Sequence, residues 1–218
     1  MKERIIRNWY ETIKKEVVEA GYNGEIEWQQ KVSLAKINED DFLRELAWVI
    51  LCSGFRVDTV RKKWEEIHAA FYHFSQARLI YEFEERCRAR ALRAFKNHKK
   101  IDAIIAGAKI VAQKKWENVL KEIKDGGIDS LEQFPYIGKI TKYHLAKNIG
   151  IDCCKPDRHL VRIAEIFNVE SPDLLCQIVS SSTAERVSVA DYVIWRWAAM
   201  TPDYVKIARY WSVTKIVK

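Results

Sequence analysis

An all-α fold is predicted by two features of this chain of 218 residues. Glycine and proline are sparse, at 8 and 4, and apolar residues recur with a 3.6-residue period over long stretches. With 48% hydrophobic residues, such a chain can bury a substantial core, as one domain or as two intertwined lobes.

The elements are justified in order along the chain. Residues 4–20 read as a first amphipathic helix, stopped by Gly21-Tyr22-Asn23-Gly24. A helix falls within 28–34, and a long pair occupies 40–74 with a break around Ser53-Gly54. Helices over 76–95, 98–111 and 116–124 follow. Residues 130–134 carry apolar side chains at one-turn spacing and stop at Pro135, which lacks an N–H and clashes with the preceding turn. A new helix therefore starts near Gly138 or Lys139, with Ile140, Tyr143, Leu145 or Ala146, and Ile149 on its apolar face and Gly150 as its stop. Asp152-Cys153-Cys154-Lys155 is a short extended connection. Pro156 then suits a helix start, and Asp157 suits an N-cap before the periodic Leu160, Ile163, Ala164 and Phe167. Helices over 172–180, 184–200 and 203–217 complete the chain, the last with a basic face.

Charge and cysteine content restrict the function classes. Lys+Arg of 37 against Asp+Glu of 30 gives a net charge of +7 and a pI of about 9.1, a balance that suits a polyanion and equally a solvated surface. No apolar run is long enough to span a bilayer, and the N-terminus Met1-Lys2-Glu3-Arg4-Ile5-Ile6-Arg7 lacks the apolar core of a signal peptide. A cytoplasmic protein is expected, with no membrane partner. Five cysteines, Cys153 and Cys154 adjacent, fit reduced thiols in that compartment. His, Cys and carboxylate spacing nowhere gives a zinc site. Trp48, Trp64 and Trp195 sit on apolar helical faces and are expected in the core, while Lys114-Lys115 and Arg86-Cys87-Arg88-Ala89-Arg90 are expected on solvated faces.

The stretch with most chemical content runs from Leu131 to Ile166. A helix, a turn of about four residues and a second helix would leave unpaired N–H groups at the second helix's start, a natural phosphate site. Asp157, at the head of the next helix, has two readings. One is capping; the other is a carboxylate held ionised and fixed in direction by N–H groups, aimed at a carbon that becomes cationic.

Phe134-Pro135-Tyr136-Ile137-Gly138-Lys139-Ile140-Thr141, followed by Lys155-Pro156-Asp157-Arg158-His159-Leu160-Val161-Arg162, resembles the helix-hairpin-helix (HhH-GPD) DNA glycosylase superfamily. Its members place a Leu/Phe-Pro-Gly-Ile/Val-Gly hairpin before an essential Asp. The resemblance extends over roughly residues 40–200. Residues 46–56 resemble the early helix and the loop that fills the hole left by a flipped base. Residues 98–105 resemble the helix leading toward the hairpin, and residues 191–198 the closing helix.

The resemblance implies a two-lobed helical fold with the active-site cleft between lobes. One lobe would comprise residues 1–40 and 155–218, and the other residues 41–154 with the hairpin at 130–150. Pro135, Tyr136, Ile137, Gly138, Lys139 and Thr141 would contact the DNA backbone. Phe55 or Arg56 would be the gap-filling wedge, and Asp157 the catalytic carboxylate. Lys142, Arg158 and His159 would offer further phosphate or pocket contacts.

Two departures from the family pattern stand out. Tyr136 occupies a position where the family usually has Gly, so a β-carbon must be accommodated there. Ile140 falls where bifunctional members carry a lysine, and isoleucine cannot form a Schiff base. Some members hold an iron–sulfur cluster on four cysteines after the closing helix, yet no cysteine follows Cys176 here. The expected activity is therefore a monofunctional DNA glycosylase without metal or organic cofactor. It would act as a monomer on double-stranded DNA with a modified or damaged base, at the nucleoid or in a nucleus, with an alkylated purine as first substrate. The alternatives are a glycosylase for bulky modified pyrimidines in foreign DNA, a bifunctional lyase using Lys139 or Lys142, and a non-catalytic DNA-binding module.

Overall fold

The computed structural model describes residues 1–214, and over them the chain is helical with no strand. It divides into two compact units, one of Met1–Val32 with the described residues from Gly150 onward, the other of Ser33–Ile149.

The first unit contains α1 (Lys2–Glu19), α2 (Asn23–Lys31), α11 (Arg158–Ile166), α12 (Pro172–Thr183), α13 (Val187–Met200) and α14 (Tyr204–Thr214). Along α1 the buried Ile6, Trp9, Ile13 and Val17 repeat at three- and four-residue intervals, which turns one stripe of the helix toward α12 and α13. Trp9 is fully buried and packs on Phe167 at 4.8 Å and edge-on to Trp197 at 5.6 Å. The Trp197 indole N–H is satisfied by Glu16 Oε2 at 2.8 Å. Truncating either tryptophan to alanine would cost about 3–5 kcal/mol. Helix α1 ends in paired bonds, Tyr22 N–H to Val17 O and Gly21 N–H to Val18 O, with Gly21 at φ 92°, where a side chain would strain the backbone.

Arg186, the residue before α13, ties this unit's backbone together. Its Nη1 donates to the carbonyls of Gln29 and Val32, and its Nη2 to the carbonyl of Gly150 at 2.9 Å. Its Nε lies 3.6 Å from Asp152, whose carboxylate in turn caps α13 by accepting from Val187 and Ser188 N–H.

The second unit contains α3 (Glu39–Cys52), α4 (Val57–Arg61), α5 (Trp64–Ala70), α6 (Ala77–Glu82), α7 (Glu84–Ala94), α8 (His98–Lys114), α9 (Trp116–Gly126) and α10 (Thr141–Asn148), with 3₁₀ turns at Tyr72–Phe74 and Gly127–Gln133. Helix α8 packs against α3, α6, α7 and α9. It comes so close to α3 that a β-carbon on Gly107 would lie 2.7 Å from Leu46 Cδ2. That contact accounts for a glycine inside a helix, where it costs about 1 kcal/mol relative to alanine. Asparagines cap α3 and α8: Asn38 accepts from Asp41 N–H at 2.7 Å and Asn97 from Lys100 N–H at 3.2 Å.

Several elements differ from the sequence reading. The segment 76–95 is two helices, broken at Phe83, and residues 130–134 lie in a 3₁₀ turn that starts at Gly127. Ala184 closes α12 in the left-handed region, at φ 60°, rather than opening α13. Trp48, Trp64 and Trp195 are only half-buried, while Trp9 and Trp197 occupy the core. Tyr72, His73 and Phe74 are consecutively left-handed, at φ 53°, 56° and 57°. The helix expected over 203–217 is observed as α14, and residues 215–217 lie outside the described residues.

Candidate functional site

Three pieces of chain carry the residues expected to act. The first is the turn between the 3₁₀ segment and α10. Leu131, Phe134 and Ile137 are buried and anchor it, with Phe134 packed 5.0 Å from Phe42. Pro135 is half-buried, while Gly138 and Lys139 are exposed and Ile140 is 48% exposed. Tyr136 adopts φ 68°, the conformation for which glycine is suited, at a cost of about 1–2 kcal/mol for a side-chain-bearing residue. Gly138 does not need its missing side chain for local geometry: its φ is ordinary, and a β-carbon there would meet nothing within 4 Å.

The donors of this turn are partly spoken for. Gly138 N–H donates to Thr141 Oγ1 at 2.7 Å, and the Thr141 hydroxyl donates to Tyr136 O at 3.0 Å. Thr141 is therefore an internal brace. Lys142 N–H closes onto Gly138 O at 3.0 Å, leaving the amides of Lys139 and Ile140 without a backbone acceptor among the described residues. Lys142 Nζ is held 2.6 Å from both Asp129 and Glu132, with its side chain mostly buried, and these two carboxylates raise its pKa. That engagement removes it from the set of free phosphate-binding lysines.

The second piece is the loop between α3 and α4. Gly54 takes φ 75°, and Arg56 is exposed at the N-terminus of α4. Phe55 is 42% exposed, and one side of its ring packs on Phe95 at 5.2 Å. Beneath the loop lies Lys100, from α8, only 3% exposed. Its ammonium donates to the carbonyls of Ile50, of Leu51 at 3.3 Å and of Ser53 at 2.7 Å, filling the orphan acceptors at the end of α3. Burial pulls its pKa down from the usual lysine range. The same nitrogen lies 5.3 Å from the centre of the Phe55 ring and 5.1 Å from that of Tyr136. The loop and the turn, far apart in sequence, thus meet around one buried cation.

The third piece, in the other unit, holds Asp157. It is half-buried and is the N-cap of α11: Oδ1 accepts from His159 N–H at 2.8 Å and from Leu160 N–H at 3.1 Å. Oδ2 accepts no hydrogen bond from the described residues. The approach to Asp157 is held by Asp191 of α13, 1% exposed, which accepts the Lys155 N–H at 2.5 Å. The capping reading of the sequence is thus realised, in a form that leaves one carboxylate oxygen open.

His159 does not form a dyad with Asp157. Its ring turns to Tyr204, edge-on at 5.3 Å, and burial lowers its pKa against the opposing pull of Asp157. Its Nδ1 is buried without a partner among the described residues, and Arg158 is exposed.

Sequence reasoning missed Lys100 and Asp191, and also Glu45 on α3. The Glu45 carboxylate accepts from Asn148 Nδ2 at 2.8 Å, and burial pushes its pKa up to about 7 despite that bond. A signal was present for each, since all three stand at helical spacing within apolar stripes: Lys100 with Ala103, Ile104 and Gly107, Asp191 with Ile194 and Ala198, Glu45 with Phe42 and Val49. Among the described residues no three His, Cys, Asp or Glu side chains gather as a metal-binding group, and no helix is long and apolar enough to cross a membrane. No protein-family model matches the chain, and no curated protein or solved structure matches it either.

Proposed function

We propose that the chain is a monofunctional DNA glycosylase of the helix-hairpin-helix type, which hydrolyses the N-glycosidic bond of a damaged or modified base turned out of a duplex. The observation that carries this reading is the state of Asp157: one oxygen is fixed by two backbone N–H groups and the other is open. A carboxylate so held needs little reorganisation to stabilise a sugar carbon as positive charge develops on it. The C1′–N bond breaks, the base departs with the electron pair, and a water oxygen bonds to C1′. The water's proton passes to Asp157 or to solvent. Charge stabilisation comes first in this role and proton acceptance second.

The Lys139 and Ile140 amides at the head of α10 would receive a backbone phosphate. Phe55 is committed on one side to Phe95, so exposed Arg56 is the better gap-filling side chain, its planar guanidinium suited to stacking. Ile140 at the nucleophile position supports hydrolysis over Schiff-base chemistry. An alkylated purine is the first substrate to try, since the family's alkylated-base branch likewise lacks the lysine nucleophile. The deciding experiment is a panel of duplexes, each with one lesion, scored for free base released. Alkylated purines should be released and normal bases retained; no release from any lesion duplex, with intact folded protein, refutes the reading.

A further inference from the structure

We infer that Phe55 and Tyr136, joined through the Lys100 ammonium, form one stacking surface for an unpaired nucleobase. The inference rests on the DNA-binding reading of the hairpin and goes beyond it, because it assigns base contacts to a turn otherwise read as touching only the backbone. Both rings are 42% exposed although each sits about 5 Å from the same buried cation. A cation against the inner face of an aromatic ring draws electron density inward, leaving the outer face a better partner for the electron-rich face of a base.

Two further observations point to a ligand. Tyr136 is held in a backbone conformation that glycine would adopt freely, so a ring stands there against strain although 42% of the residue stays open to solvent. The flanking Arg56 and Lys139 are exposed and form no ion pair among the described residues, which supplies the positive rim that a nucleic acid strand requires. The Lys100 contacts to Ile50, Leu51 and Ser53 fix the loop against α8, so the surface exists before any ligand arrives.

The test compares two duplexes of one length and salt concentration. One is fully paired, and the other has a tetrahydrofuran abasic site opposite 2-aminopurine. Binding is followed by anisotropy and stacking by 2-aminopurine emission. The wild-type chain should prefer the abasic duplex and quench the fluorophore. Tyr136→Gly should lose that quenching and roughly 5- to 150-fold of the preference, the range for one base–aromatic stack. Its melting temperature should not fall, because strain is relieved. Tyr136→Phe should retain both properties, and Lys100→Met should lose preference by loosening both rings.

An unchanged preference ratio in Tyr136→Gly overturns the stacking surface while leaving DNA binding intact. Equal loss in Tyr136→Phe and Tyr136→Gly also overturns it, since the ring would then not be the active part. Failure of the wild-type chain to bind either duplex removes the DNA reading and this surface together.

Discussion

Replacing Asp157 with asparagine separates two roles that one carboxylate combines. As the N-cap of α11, its Oδ1 accepts two backbone N–H bonds, and asparagine caps a helix about as well as aspartate. The change in stability should therefore be confined to the lost attraction between a negative charge and the helix N-terminus, about 0.3–1 kcal/mol. For a chain of this size that is a shift in melting temperature of at most roughly 4 °C. Chemistry should suffer far more. Losing a charge that faces a developing cation should slow base release by about 10²–10⁴-fold, equivalent to roughly 3–5 kcal/mol of barrier.

Asp157→Ala supplies the contrast, adding a lost cap of about 0.5–2 kcal/mol to the same catalytic defect. The assay is single-turnover release of free base from the best lesion duplex, with thermal unfolding and DNA anisotropy run on the same samples. Asparagine turnover within tenfold of wild type would remove Asp157 from the mechanism. Equal activity loss that tracks unfolding in both variants would reduce it to a cap.

Three other outcomes are expected. Gly138→Asp should weaken binding to every duplex alike without altering lesion preference, and because a side chain at this position meets nothing within 4 Å, the fold should be undisturbed; wild-type affinity at matched salt would refute the hairpin's phosphate role. The reaction product should be an intact abasic strand that breaks only in hot alkali, since Ile140 cannot form a Schiff base and Lys142 is held by Asp129 and Glu132; a borohydride-trapped adduct that disappears in Lys139→Ala or Lys142→Ala would establish a lyase instead. Glu45, with its pKa pushed up to about 7 from 4.5, contributes stability that is complete below the unfolded value and lost as pH rises through about 7. Relative to wild type, Glu45→Gln should thus gain on the order of 3 kcal/mol between pH 4 and pH 8, and a pH-independent difference in denaturant unfolding would contradict the burial argument.

What was legible in the sequence is what depends on neighbours in sequence. The stop of α1 at Gly21, the termination at Pro135 and the cap at Asp157 all follow from local backbone geometry, and each occurs within a residue or two of its expected place. The break at Phe83 was not legible, because neither glycine nor proline marks it. The left-handed run at Tyr72–Phe74 was equally hidden, since no glycine stands there. Half-buried Trp48 and Trp64 show the same limit. Periodicity assigns them to an apolar face, but they pack edge-to-face at 5.1 Å near the surface.

The candidate site divides in the same way. Asp157 and the turn are continuous motifs, whereas Lys100 acts on carbonyls fifty residues away and Asp191 on an amide thirty-six residues away. A charged residue within an apolar stripe announces that a partner exists, but not which one.

The Arg186 clasp has a consequence for how such a chain is assembled and can be rebuilt. One planar guanidinium holds the carbonyls of both Val32 and Gly150, the last residue before and the first residue after the segment Ser33–Ile149. To the host unit that whole segment is a loop whose ends the clasp holds, and because the entropy of closing a loop grows only with the logarithm of its length, the size of the segment adds little to that cost. Joining Val32 to Gly150 with a short Gly/Ser linker should leave the host able to fold. The excised segment, with its own buried residues and one continuous stretch of chain, should then fold when expressed alone, and a cooperative thermal transition of the isolated segment checks it.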